Sequence, residues 1–183
     1  MTTQTPATKV VDYVAQPNDY TCQSACIARI IGTEDVMGVR AALEALGNPG
    51  DYAIMGEYLK ANIREYHFND NASILDMRDA LSQGYQLITH GYFTEVGHVI
   101  GLAGFEPDPT NLSYRFITDD PWYEFDFPSG IFTQNSGKNV RYSSYGIYAY
   151  CVVSKSYEDA RKIYSRGELD SAKKGAWLHL CKN

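Results

Sequence analysis

The hydrophobic pattern of this chain changes period once, near Tyr85, and that change limits the folds open to it. Before it, apolar residues recur at helical spacing; after it, runs rich in β-branched and aromatic residues are separated by turn residues. The run from Cys22 to Gly32 sets apolar or small residues at 22, 26, 27, 30 and 31, one stripe of a helix that Gly32 stops. Thr21 is placed to cap that helix, so Cys22 falls in its first turn. Further helices are predicted over residues 36 to 46, closed by Gly47-Asn48-Pro49-Gly50, over 54 to about 62, and over 74 to 83 behind a Ser73 cap. Strands are predicted over 86 to 90, 97 to 105 and 114 to 118, with Pro107-Asp108-Pro109-Thr110-Asn111 turning between the last two. A strand over 146 to 154, a short helix over 157 to 164 and a strand over 176 to 181 complete the second half. Near the start, Val10 to Val14 reads as a short strand ended by Gln16-Pro17-Asn18-Asp19. Helices followed by an antiparallel sheet make an α+β chain.

At 183 residues the chain has the size of one domain and can bury a core without disulfides or a structural metal. The polar, Thr-rich residues 1 to 9 read as a flexible tail, leaving 10 to 183 as a single domain, expected to be a monomer. Fifteen Tyr against seven Phe and two Trp suit strands, or a groove of flat amphipathic rings. The formal charge of −6, with Lys and Arg scattered, offers no footprint for nucleic acid. No apolar run is long enough to span a membrane, and the N-terminus has no secretory signal pattern, so a cytoplasmic origin is expected. Cys22, Cys26, Cys151 and Cys181 lack the spacing of a metal site, and neither metal nor cofactor is expected.

A thiol attacks as its thiolate, and a helix N-terminus beside a histidine lowers its pKa. Cys22 meets the first condition. Of His67, His90, His98 and His179, His98 is the best placed to meet the second. It begins the strand Gly97-His98-Val99-Ile100-Gly101-Leu102-Ala103-Gly104-Phe105, whose glycines would let a substrate backbone approach. The acid that orients the imidazole is expected at the end of a neighbouring strand, in Thr118-Asp119-Asp120-Pro121, with Asp120 chosen and Asp119 behind it. Gln16, six residues before Cys22, supplies an amide that with the Cys22 N–H could bind an oxyanion. Cys26, one helical turn on, reads as core packing, as does Cys151.

Together, Gln16-Pro17-Asn18-Asp19-Tyr20-Thr21-Cys22, the His98 strand and Asp119-Asp120-Pro121 resemble the peptidase C39-like branch of the papain-like cysteine peptidases over roughly residues 10 to 125. The resemblance implies a papain-like fold, N-terminal helices packed on an antiparallel β-sheet, with Cys22 as nucleophile, His98 as base, Asp120 as orienter and Gln16 at the oxyanion. It departs from the family at Gln23, where a glycine usually follows the nucleophile. Members of that family cleave double-glycine leader peptides, and stand-alone relatives include phage endolysins. The Gly- and Tyr-rich stretch through Asn135-Ser136-Gly137 and Arg141-Tyr142-Ser143-Ser144-Tyr145, with Gly175-Ala176-Trp177, resembles the lysins more. It implies peptidoglycan stem or cross-bridge peptides as substrate, reached by holin-type release. A leader-peptide processing enzyme and a non-catalytic binding or inhibitor module remain the alternative expectations.

Overall fold

The structure, a computed structural model, describes residues 11–110 and 112–183. The predicted tail, Val10 and Asn111 lie outside them. Helix α1 spans Cys22–Ile31 and ends at Gly32, whose φ of 79° is the left-handed conformation that a side chain would resist. Thr21 does not cap it: its hydroxyl donates instead to Asn18 Oδ1 at 3.0 Å, so the first turn keeps its N–H groups free of a side-chain cap. Helix α2 (Val36–Leu46) starts at Asp35, whose carboxylate accepts the Gly38 N–H, and α3 (Tyr52–Asn62) starts in the same way at Asp51.

Strand β1 (Glu65–Ser73) was not anticipated by the sequence pattern. Its end is the start of α4 (Ile74–Ser82), where Ser73 and Asp76 form a reciprocal capping box. Strands β2 (Gln86–Gly91), β3 (His98–Pro107) and β4 (Tyr114–Asp119) follow the predicted segments within two residues. A hairpin of β5 (Phe125–Asp126) and β6 (Ile131–Phe132) precedes β7 (Val140–Ser143). The predicted strand over 146 to 154 is instead helical: α5 (Ser144–Ile147) runs into a π-helix over Tyr148–Val153. Ile147 and Tyr148 to Val152 are all buried, so no polar face marks a period, and the run suits a buried helix as well as a strand. Helix α6 (Tyr157–Ser165) and strand β8 (Lys174–Lys182) close the chain. Residues 11–16 form no strand; Tyr13 is held by its hydroxyl, which donates to the Asp120 carbonyl at 2.9 Å.

The six-stranded sheet has the order β1-β8-β2-β3-β4-β7, with every neighbouring pair antiparallel. The chain is therefore α+β, as its sequence pattern requires. Alternation along the strands gives the sheet two buried faces. Ile88, Val99 and Cys181 pack under α1, α2 and α3 with Ile27, Leu43, Met55 and Leu59. Leu87, Ile100, Leu102, Phe116 and Leu178 face α4, the π-helix and α6. Both faces are thus closed, and one cleft opens at the end of the sheet where β3 begins and β4 stops.

Candidate active site

Three separate segments meet at that open end. Helix α1 brings Cys22, partly buried, at its first residue. Strand β3 brings His98 at its own first residue, 5% exposed. The residue after β4 is Asp120, fully buried. His98 Nε2 lies 2.7 Å from Asp120 Oδ1. With Nε2 so engaged, Nδ1 is the ring atom left to interact with Cys22, whose thiol donates to Gln23 Oε1 at 3.4 Å.

The electrostatics follow from this chain of contacts. Burial opposes ionisation of the Cys22 thiol, but the hydrogen bond and charge of His98 and backbone hydrogen bonds from Val99 and Gln23 hold it below the ordinary thiol value. Burial would also discharge His98; the Asp120 carboxylate and then the Cys22 sulfur reverse this and push the imidazole up to about 10. Both shifts favour the thiolate–imidazolium form of the pair. The rings of Phe93 and Phe132 meet the imidazole edge-on at 5.9 and 5.3 Å and keep water from it.

Asp120 is fixed from every side. Its Oδ2 accepts the Tyr142 hydroxyl at 2.8 Å and its Oδ1 also accepts the Trp122 N–H at 3.0 Å. The Tyr142 hydroxyl in turn accepts the Phe125 N–H at 2.7 Å. Tyr142 was missed by the sequence reading; it stands 22 residues after Asp120 on β7, and no local pattern ties the two. Asp119 points away. Its Oδ2 is 2.6 Å from Arg29 Nε, both side chains nearly buried, and its Oδ1 accepts the Asn139 N–H at 3.0 Å. Successive strand side chains face opposite ways, so one acid serves the imidazole while the other ties β4 to α1.

Gln16 reaches the same place from the N-terminal segment. Its N–H donates to the Pro121 carbonyl at 2.7 Å, and with the Tyr13 contact this laces residues 13–16 to the turn after Asp120. The Gln16 Nε2 donates to the Asn18 carbonyl at 2.7 Å, while its buried Oε1 has no partner. The amide has two N–H donors, so one remains for a ligand. Gln16, His98, Gly97 and Trp122 line a cleft of about 250 Å³.

Two expectations need correction. Of the glycines expected to clear space for a substrate, Gly97, just before β3, serves the protein's own packing, since a Cβ there would fall on the His90 ring; at Gly101 and Gly104 a Cβ would make only ordinary contacts, with the Asp119 carbonyl at 3.6 Å and the Ile117 side chain at 3.4 Å. Cys151 is core, as expected, but in the π-helix and not in a strand. Cys26 is buried at 4% exposure with its sulfur directed to the Val99 carbonyl, and burial above all raises its pKa. All four cysteines are free thiols. Among the described residues no group of three or more His, Cys, Asp or Glu is placed to hold a metal ion, and no helix is long and apolar enough to cross a membrane.

No family model matches this chain, and no curated protein matches it.

Proposed function

We propose that the chain is a thiol hydrolase of amide bonds, a cysteine peptidase or amidase with Cys22 as nucleophile. The observation that carries this reading is the contact chain in which the partly buried Cys22 meets His98 and His98 meets Asp120 at 2.7 Å. In the reaction, the Cys22 thiolate attacks the carbonyl carbon and a C–S bond forms. Gln16 and the Cys22 N–H stabilise the oxyanion. The C–N bond then breaks as the imidazolium gives its proton to the leaving amine. His98, now neutral, takes a proton from water; the hydroxide displaces sulfur and restores the thiolate–imidazolium pair. Asp120 holds the ring in the tautomer and orientation that both steps require.

Peptidoglycan stem or cross-bridge peptides are the proposed substrates, on the resemblance of the Gln16, Cys22, His98 and Asp120 motifs to the C39-like branch and of the stretch through Asn135-Ser136-Gly137, Arg141 to Tyr145 and Gly175-Ala176-Trp177 to its stand-alone lysins. The walls of the cleft add to this reading, since Trp122 and Phe132 offer flat faces to an extended backbone. The papain-like fold and release to a cell wall belong to the same proposal. Its test is digestion of purified peptidoglycan by wild type and by Cys22→Ala, with the fragments weighed by mass spectrometry. New amine termini that need Cys22 support the proposal and identify the bond. Release by neither protein contradicts the cell-wall substrate and directs the search to leader-type peptides.

A further inference from the structure

The cleft beside His98 carries one charged feature that the hydrolytic machinery does not use. Its walls include the rings of Trp122 and Phe132 and the side chain of Val96, which is 92% exposed at the rim. Asp19 is the only carboxylate among its lining residues. No cation pairs with Asp19 among the described residues: the nearby Arg40 is engaged with Glu44 at 2.6 Å, with the Tyr20 carbonyl at 2.9 Å and with the Tyr20 ring. A volume of about 250 Å³ is smaller than the usual pocket for a drug-sized ligand and fits one long side chain.

The direction of the reaction assigns this space. The leaving amine takes its proton from His98, so the residue on the amine side of the scissile bond lies on the His98 side of Cys22, where this cleft is. Resting on the thiol-hydrolase reading, we infer that the cleft receives that residue and that Asp19 makes it select an alkylammonium side chain of the lysine type. Methylene groups lie against Trp122, Phe132 and Val96 while the ammonium reaches Asp19 at the open rim. The carboxylate is exposed, so its attraction is that of a solvated ion pair and weakens with salt.

Partition of the acyl-enzyme tests this without knowledge of the natural substrate. The full chain is acylated with benzyloxycarbonylglycine p-nitrophenyl ester, and lysinamide, norleucinamide or glutamic acid amide competes with water for the acyl group. An amine that attacks the thioester occupies the site from which an amine leaves. Lysinamide should capture about five times more acyl group than norleucinamide at low salt, and glutamic acid amide less than either. Asp19→Asn should bring the first ratio to about one, and Asp19→Lys should favour the glutamate derivative. Equal capture by wild type, or a lysine preference that survives Asp19→Asn, overturns the inference and leaves the hydrolase reading intact. Absence of Cys22-dependent p-nitrophenol release overturns both.

Discussion

Two histidines on the same sheet, His98 at the start of β3 and His179 on β8, are 5% and 0% exposed and stand in opposite electrical states. His179 Nδ1 is 2.8 Å from the Tyr66 hydroxyl, its Nε2 has no partner, and burial pushes it down to about 3. His98 is as deeply buried, but a carboxylate at 2.7 Å pushes it up to about 10. A phenol can share a hydrogen bond with a neutral ring; only a charge compensates the desolvation of a cation. Cys22 and Cys26 repeat the contrast one helical turn apart: both thiols face an amide oxygen, Gln23 Oε1 and the Val99 carbonyl, but only Cys22 has the His98 charge to lower its pKa, whereas burial above all raises that of Cys26. Burial alone thus produces inert groups, and the carboxylate at Asp120 is what separates the site from the core.

The largest expected effect is on the thiol pair. Cys22→Ala should abolish hydrolysis, whereas Cys26→Ala should keep most of it and cost stability through a small cavity. Measured kcat/KM and a melting curve for each would decide; loss of activity in the second variant alone would mean that the contrast is drawn between the wrong cysteines.

The two acids should come apart next. Asp120→Asn should lower kcat/KM on the order of a hundredfold or more with little change in fold. It should also shift the pH profile. The acid limb reports ionisation of Cys22, below the ordinary thiol range, and the alkaline limb reports loss of the His98 proton near pH 10. Removing the carboxylate charge takes away the main cause of the raised value, so the alkaline limb should move to lower pH. Asp119→Asn should do the reverse, leaving the pH profile in place while weakening the Arg29 contact at 2.6 Å. Breaking such a buried pair costs roughly 3 kcal/mol, which in a domain of this size is a fall of roughly 6–12 °C in Tm. Equal pH profiles for the two variants would remove the distinction between them.

Much of this contrast was legible in the sequence, and the reasons for the misses are physical. Helix α1 showed itself through its stripe and its terminal glycine, and α4 through Ser73, because both signals are local. The polar strand β1 did not, since Asn69 and Asn71 read as turn residues and its pairing with β8 comes from more than a hundred residues away, with bulges between Asn69 and Ala72. Cys22, His98 and Asp120 were found by residue type and order. The support from Tyr142 and Tyr13 was not, because hydrogen bonds between distant segments leave no periodicity. Nor could spacing show which of the adjacent acids faces His98; the direction of side chains at the end of β4 decides that.

The smallest effect is at the other histidine. His179→Phe should leave activity unchanged and alter only the pH dependence of stability. The neutral folded ring, with its value lowered to about 3, must compete with an unfolded ring that takes up a proton near pH 6.5. Stability from this residue is therefore complete above about pH 6.5 and falls as the pH drops towards 3. Denaturant melts across that interval should show a shallower acid decline in the variant, and an unchanged slope would show that His179 is not the group responsible.

The central claim, a thiolate held at Cys22 by an imidazolium at His98, is tested most directly by alkylation with iodoacetamide as a function of pH, each cysteine followed by peptide mass spectrometry. The account predicts that Cys22 reacts fast at neutral pH, with a rate that reaches its plateau below the ordinary thiol range, while buried Cys26, Cys151 and Cys181 stay unmodified in the folded protein. A Cys22 rate that climbs only as an ordinary free thiol ionises, or faster labelling of any other cysteine, would contradict it.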